Sequence, residues 1–175
     1  MHRNSEYHYC PVCGGALQLR TIKRGEPNRL VCSGCHYVLY LDPKVVACVI
    51  VEIDGRIVLV RRGIPPGVGM WVIPGGYVDA GEAVQDAAAR EAWEEVRLRV
   101  EITSLVGVYS YPGISAVIIV YEGRVTAGVP TAGDETQEAR LFDPGEIPWN
   151  EIAFSSTADA LRDYLRTRHP EVDLV

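Results

Sequence analysis

Three glutamates, Glu91, Glu94 and Glu95, stand at positions i, i+3 and i+4. On a helix their side chains share one face, where like charges repel. Arg90 can reach Glu94 across one turn, but one guanidinium does not neutralise three carboxylates. A divalent cation would. Mg²⁺ or Mn²⁺ takes oxygen ligands and keeps part of its water. A cation so held would neutralise phosphate charge and acidify a bound water. Upstream, Gly75 and Gly76 lack Cβ atoms, so a metal or phosphate can approach the backbone there. Glu82 precedes the helix, placed to accept hydrogen bonds from free N–H groups or to orient Arg90. An isolated Glu-x-x-Glu-Glu is most often a solvated acidic face. What sets this one apart is the order in which glycine, Glu82, Arg90-Glu91 and Glu94-Glu95 follow one another across a strand, a loop and a helix.

A second set of residues suits a different metal. Cys10-Pro-Val-Cys13 and Cys32-Ser-Gly-Cys35 are two C-x2-C pairs with eighteen residues between them, the spacing of a four-cysteine zinc site. Four thiolates close a tetrahedron around Zn²⁺ and leave no open position, so the ion would be structural. About forty residues have little core of their own and need such a staple. Redox pairs or disulfides are the competing readings, disfavoured in a reducing compartment. Cys48, in an apolar run, reads as an inert core residue.

These residues must be held by elements. Residues 1–40 are organised around the cysteines, and 41–175 form a second domain of α/β type. Residues 45–53 are rich in β-branched side chains and read as a buried strand. Asp54-Gly55 is a hairpin turn, and 56–60 is the partner strand, with Arg61 and Arg62 following it. Residues 64–69 read as a loop, 71–73 as a short strand, and Gly75-Gly76 as a glycine loop. The segment 83–96, rich in Ala and Glu and free of Gly and Pro, is a helix, with Ala88, Ala92 and Val96 on its apolar face and Ala89 and Trp93 beside it. Strands are expected at 100–110, 114–121 and 139–142, a loop at 126–134, and a closing helix at 156–168.

The composition excludes some classes. Of 175 residues, 47% are hydrophobic and 23% charged, ordinary globular values. A net charge of −6 gives no support to nucleic-acid wrapping or to docking on an anionic membrane. The basic ribbon residues Arg20, Lys23, Arg24 and Arg29 read as solvated rather than as a nucleic-acid surface. The longest apolar run, 45–51, is far too short to cross a bilayer. The first six residues do not resemble a leader segment, so a cytoplasmic location is expected.

The segment from Gly76 to Leu98 resembles the Nudix box, a family signature written G-x5-E-x7-R-E-U-x-E-E-x-G-U with U aliphatic. Gly76, Glu82, Arg90, Glu91, Ala92, Glu94, Glu95 and Leu98 match. Arg97 occupies the place of the second glycine, where a left-handed residue usually ends the helix, and it is expected to shorten or reshape that exit turn. The resemblance implies an α/β/α sandwich on a mixed sheet. It also implies a magnesium- or manganese-dependent pyrophosphohydrolase in which Glu91, Glu94 and Glu95 bind metal. Arg90 orients them, and a Gly75 or Gly76 carbonyl is a further ligand. Glu135 and Glu138 are candidates for the general base, in a loop near the end of the sheet. Arg61 and Arg62 are candidates for phosphate contacts, and Tyr109, Tyr111 and Trp71 for stacking on a ring.

A four-cysteine ribbon before such a domain is similar to a subgroup that includes NADH, ADP-ribose and FAD pyrophosphatases. The Ser-Gln-Pro-Trp-Pro-Phe-Pro-x-Ser stretch of the NADH branch is missing, since the corresponding residues are Val108-Tyr109-Ser110-Tyr111-Pro112-Gly113-Ile114-Ser115. The stretch Glu146 to Phe154 is similar to the ADP-ribose/FAD branch. The expected substrate is therefore a small nucleotide, ADP-ribose, FAD or a related dinucleotide, cleaved to a nucleoside monophosphate. NADH or NAD hydrolysis and a non-catalytic nucleotide sensor are the alternatives. Relatives of this size are often homodimers.

Overall fold

The computed structural model describes residues 7–173. Residues 1–6, read above for a leader segment, lie outside them. The chain divides into two compact units, Met1–Pro43 and Lys44–Val175.

The first unit is a three-stranded antiparallel sheet of β1 (Leu17–Arg20), β2 (Arg29–Cys32) and β3 (Val38–Leu39), in the order β1-β2-β3. Its buried side chains are few: Cys10, Leu30, Val31 and Cys32. So small an apolar centre stabilises a fold only weakly.

The second unit is built on a mixed sheet. Its strands are β4 (Lys44–Ile53), β5 (Arg56–Arg62), β6 (Trp71–Val72), β7 (Gly75–Tyr77), β8 (Arg99–Tyr109), β9 (Ala116–Ala127) and β10 (Thr136–Phe142). The main order is β10-β5-β4-β9-β8, with β6 paired to β5 and β7 to β4. Among these strands β4 and β9 pair in parallel and the other ladders are antiparallel. The β4–β5 turn is made by Asp54 and Gly55, both at positive φ (50° and 76°), the backbone that a two-residue hairpin requires. Beyond the turn β4 and β5 separate. β7 pairs with β4 through Val46, Ala47 and Cys48, while β6 pairs with β5 through Val60 and Arg61.

Helices cover both faces. Along β4, Ala47, Val49 and Val51 face α1 (Val84–Val96), packing on Ala87, Ala88, Ala92 and Val96. The alternate residues Cys48 and Ile50 face α2 (Ser155–Arg168) with Ala160, Leu161 and Leu165. A strand buried on both sides has no polar face, which is why 45–51 is an unbroken apolar run. The expected α/β/α sandwich is what the structure shows.

Several local expectations are corrected. Gly75-Gly76 is not a loop but part of β7, because its backbone completes the ladder with β4. Arg61 and Arg62 do not follow β5 but lie inside it, extended by pairing with β10. β9 runs on through Ala127, into the stretch expected to be a loop, because it pairs with Arg99 and Val100. β10 starts earlier than expected and takes Glu138 into the sheet.

Arg97 also departs from expectation. It does not reshape the helix exit: it takes the left-handed conformation itself, at φ 56° and ψ 29°. Its N–H bonds to Trp93 O at 3.1 Å, the αL ending of a helix, and Leu98 N–H reaches back to Ala92 O at 3.3 Å. That backbone costs a non-glycine residue about 1–2 kcal/mol. Arg97→Gly is expected to stabilise the protein by about 1 kcal/mol, raising the melting temperature by about 2–4 °C in thermal denaturation. A drop would show that the arginine's contacts with Trp93 and Asp134 outweigh the strain.

At the other end of α2, Glu52 Oε2 accepts hydrogen bonds from Tyr164 Oη (2.9 Å) and bonds His169 Nε2 (2.8 Å). The hydrogen bond to Glu52 raises the His169 pKa above its usual value of 6.5. A raised folded-state pKa contributes stability that is fully present below pH 6.5 and lost as pH rises through the folded value. Wild type is therefore expected to exceed His169→Gln in denaturant-measured stability most at pH 6, with the gap narrowing towards pH 9. A gap constant with pH would refute the charged interaction.

Candidate active site

The site begins with two glycines opposite a helix. β7 lays Gly75 and Gly76 beside α1, and a Cβ on Gly76 would collide with the carboxylate of Glu91, just as one on Gly75 would collide with Cys48. Without those atoms the Glu91 carboxylate lies against the strand backbone, and the Gly75 N–H donates to Glu95 Oε2 at 2.9 Å. The opposite end of α1 is tied down by the segment before β10. Gly133 N–H and Thr136 Oγ1 both donate to Glu95 O, at 2.9 and 3.0 Å, and Thr131 N–H donates to Val96 O at 3.0 Å.

Arg90 organises the acids. Its Nε and Nη2 donate to the two oxygens of Glu82 at 2.8 and 3.0 Å, and Nη2 also donates to Tyr77 O at 3.0 Å. Nη1 bridges Glu91 Oε1 (2.7 Å) and Glu94 Oε2 (3.0 Å). A forked guanidinium–carboxylate pair of this kind fixes orientation as well as charge. The Arg90 hydrogen bonds hold the Glu82 pKa down, to about 2. The Glu82 carboxylate also accepts the Asp79 N–H at 3.1 Å, and the helix N-cap Ala83 takes no side-chain bond. Glu82 thus serves the arginine and the preceding turn, not the helix N–H groups.

Burial acts on the other acids in the opposite direction. Desolvation raises the Glu95 pKa to about 7, and the nearby Glu91 charge adds to the rise. Burial raises Glu91 as well. Two carboxylates in one buried place, with Arg90 already shared four ways, lack positive charge. All available donors are hard oxygens, the set that suits Mg²⁺ or Mn²⁺, so these residues fit a divalent cation. The three carboxylates are not gathered into a ready cage. Among the described residues, only the four cysteines bring three or more ligand atoms within 4.8 Å of one another. Glu91 is 13% exposed at its side chain, whereas Glu94 is 52% exposed and held outward by Arg90.

These groups open into a cavity of about 750 Å³ lined by Glu91, Glu95, Arg90, Gly75 and Gly76. Glu135, Arg62 and Tyr111 line it too, with apolar walls from Ile73, Ile114 and Ile118. In the first unit, Cys10 Sγ and Cys35 Sγ are 3.7 Å apart and Cys13 Sγ and Cys32 Sγ 3.4 Å. Tetrahedral zinc with Zn–S bonds of about 2.3 Å sets sulfurs about 3.8 Å apart, so the cluster fits that ion. The N–H groups of Cys35 and Gly34 point at Cys32 Sγ at 3.4 and 3.3 Å and lower its pKa, whereas the neighbouring thiols push that of Cys35 up.

A model of the NUDIX domain family matches residues 41–164, and one of the Nudix N-terminal family matches residues 8–41. The chain belongs to the Nudix hydrolases. It is a pyrophosphohydrolase of that family with an N-terminal zinc ribbon. An ADP-ribose pyrophosphatase of Methanocaldococcus jannaschii is 37% identical over 137 residues, covering 76% of this chain and 79% of that protein. A NAD-capped RNA hydrolase, NudC, of Pseudomonas syringae pv. tomato is 28% identical, and the match covers 82% of this chain but 50% of that protein. The crystal structure of a NUDIX hydrolase from Nitrosomonas europaea superposes with a TM-score of 0.88 at 37% identity, covering 95% of this chain and 94% of that one.

The Nudix box brings Glu82, Arg90, Glu91, Glu94, Glu95 and Gly76 to one place. Other candidates separate. Glu135 lines the cavity, whereas Glu138 points at Arg61 across the β10–β5 ladder, Oε2 to Nε 3.9 Å. Adjacent residues in a strand face opposite ways. Arg62 therefore reaches the cavity while Arg61 lies over the Trp71 ring at 4.8 Å and bonds Glu151. Arg62 itself donates from Nε to Pro66 O at 2.7 Å and covers the Phe154 ring at 5.0 Å. Tyr111 lines the cavity; Tyr109 does not, and its hydroxyl donates to Asp163 at 3.0 Å. Trp71 is a core residue packed edge-on against Phe142. Phe154, Ser156 and Thr157 were not read from the sequence as site residues. They reach the cavity only because α2 docks there, and no local pattern signals it.

Gly76→Ala is expected to push the Glu91 carboxylate off the strand and lower kcat by about 100-fold or more. Gly145→Ala, where an added Cβ meets nothing within 4 Å, should match wild type. Wild-type turnover in Gly76→Ala would show that the close approach of Glu91 is not needed.

Proposed function

We propose that this chain hydrolyses the pyrophosphate linkage of ADP-ribose, FAD or a similar nucleoside-diphosphate derivative in the presence of Mg²⁺ or Mn²⁺, releasing a nucleoside monophosphate. The observation that carries the reading is the burial of Glu91 and Glu95 together at a cavity wall, beside strand backbone stripped of Cβ atoms. The 37% identical ADP-ribose pyrophosphatase supports the substrate class.

Glu91, Glu94 and Glu95, with the Gly76 carbonyl, are the proposed holders of the divalent cation. When bound, that cation would neutralise phosphate charge and activate water. Arg90, held by Glu82, keeps the glutamates in register and restrains Glu94 until a cation competes for it. Glu135, at the cavity wall, is the proposed acceptor of the attacking water's proton. The water oxygen then bonds one phosphorus, the bridging P–O bond breaks, and the second phosphate departs. Arg62 is the proposed phosphate contact. Catalysis rests mainly on positioning and charge complementarity.

Residues 1–40 are proposed as the zinc ribbon, with Cys10, Cys13, Cys32 and Cys35 as its ligands, and 41–175 as the catalytic domain. A cytoplasmic setting would keep those thiols reduced for zinc. Among the described residues no helix is long and apolar enough to cross a membrane.

Purified protein with Mn²⁺ is expected to convert ADP-ribose or FAD to AMP plus the second phosphorylated product, read by mass spectrometry. Glu94→Gln and Glu95→Gln should each lower kcat by about 100-fold or more. Mn²⁺ should raise the melting temperature of wild type but not of Glu95→Gln. Intact substrates across the panel would favour a nucleotide sensor instead. Elemental analysis should find one zinc per chain, lost in Cys32→Ser; a zinc-free, folded ribbon would refute the four-cysteine assignment.

A further inference from the structure

The ribbon carries a charged face that neither its four sulfurs nor the hydrolase reading uses. In the β1–β2 ladder Arg20 stands directly opposite Arg29, and Ala16, just before β1, bridges to Tyr9. The β2–β3 register, Leu30 to Leu39 and Val31 to Val38, sets Tyr40 beside Arg29. Side chains alternate along a strand, so Tyr9, Gln18, Arg20, Arg29 and Tyr40 share one face of this small sheet. The Arg29 guanidinium lies 5.3 Å from the centre of the Tyr40 ring. Tyr40 is 58% exposed and Tyr9 73%. Arg24, in the β1–β2 connection, is exposed as well.

This face is unfavourable as it stands. Like charges directly opposite each other in a ladder repel. Arg20 donates to Gln18 Oε1 at 2.8 Å, a neutral partner. Arg29 Nε is shielded from solvent and has no hydrogen-bond partner among the described residues. Among those residues the ribbon's ion pair joins Lys23 to Glu26, at 3.3 Å, and leaves Arg20, Arg24 and Arg29 without a carboxylate. The chain as a whole has a net charge of −6, so this acid-free face is unlike its general surface. Along the chain these arginines read as solvated. Strand register is what sets two of them against each other beside a tyrosine.

We infer that this face of the ribbon binds single-stranded nucleic acid, its arginines meeting backbone phosphates and Tyr9 and Tyr40 stacking on bases. Cationic side chains that track a backbone, interleaved with aromatic rings, are what such a strand requires. Phosphates would relieve the repulsion between Arg20 and Arg29 and offer Arg29 an acceptor. The rings need unstacked bases, because a duplex keeps its base faces covered by neighbouring pairs. Ala16 and Arg20 are four residues apart, about 13 Å along the strand, so the two rings take different bases of one strand. An acidic peptide would also satisfy the arginines, but it offers no repeating flat faces to two separated rings. The inference goes beyond the hydrolase reading and does not depend on it.

Binding is measured on the full-length protein by fluorescence anisotropy, with labelled oligothymidylate and oligouridylate of about a dozen nucleotides, at stepped salt concentrations. Wild type should bind at least one of them, with an affinity that falls linearly with salt on logarithmic axes. The tighter of the two tells DNA from RNA. The double variant Arg20→Gln, Arg29→Gln should weaken binding about tenfold and flatten the salt slope by about 1. Tyr40→Leu should weaken it about tenfold with the slope unchanged. Zinc content and thermal melts check that the variants are folded. Arg24→Gln and Tyr9→Ser, at exposed positions, supply the same two readouts if the first set does not fold. A duplex of equal length, inorganic polyphosphate and polyglutamate should each bind at least about tenfold more weakly. Absence of binding at low salt overturns the inference, as do folded variants that bind like wild type. A duplex, polyphosphate or polyglutamate bound as tightly as the single strand overturns it too, and makes the face a general anion patch. No turnover is read, so the fate of the hydrolase reading and the fate of this one are told apart.

Discussion

Two carboxylates buried side by side repel each other and lose their hydration, and the rest of the second unit is arranged around that constraint. Glu91 and Glu95 are kept there by what is missing as much as by what is present. Gly75 and Gly76 bring no Cβ, so strand backbone comes close enough for an N–H to donate to Glu95. Arg90 supplies a full positive charge beside Glu91, and Glu82 fixes that charge in place. The residual shortage of positive charge shows in the raised pKa of Glu95. A binding site for a hard cation needs ligands that are unsatisfied without it, and this pair meets that description.

The sheet serves the same end. β4 and β5 leave a common hairpin and then part, β7 joining one and β6 the other. The glycine pair is thereby held by a ladder rather than carried on a loop, which gives a rigid reference against which the helix carboxylates are set. At the far end of α1, Gly133, Thr136 and Thr131 tie down the last carbonyls of the helix. The exit turn survives an arginine in place of the family's glycine because these contacts and the sheet determine its path. The backbone accepts local strain at Arg97 and keeps Glu94 and Glu95 in register.

The ribbon solves a different problem. With Leu30 and Val31 as its main buried aliphatics, it cannot be held by apolar burial in the way the sandwich is. Four sulfurs gathered within one coordination sphere take the place of a core. The sulfurs of Cys13 and Cys32 face Gly15, where a side chain would crowd them.

Periodicity and spacing in the sequence were enough to determine the helix bearing the acids, the Asp54-Gly55 turn and the two cysteine pairs that cluster. Each of these depends on neighbours close in the chain, where backbone geometry alone decides which side chains share a face. The rest was settled by contacts between distant segments. Nothing local tells Arg62, facing the cavity, from Arg61, turned away from it, since strand pairing had to extend β5 before the alternation reached them. Glu135 and Glu138 read alike until β10 took one into the ladder opposite Arg61 and left the other at the cavity. Ser156 and Thr157 read as an ordinary helix start. Only the docking of α2, some sixty residues beyond the acids, turned their hydroxyls into the wall of the site, because a cavity is a property of packed surfaces and no single stretch of chain contains it.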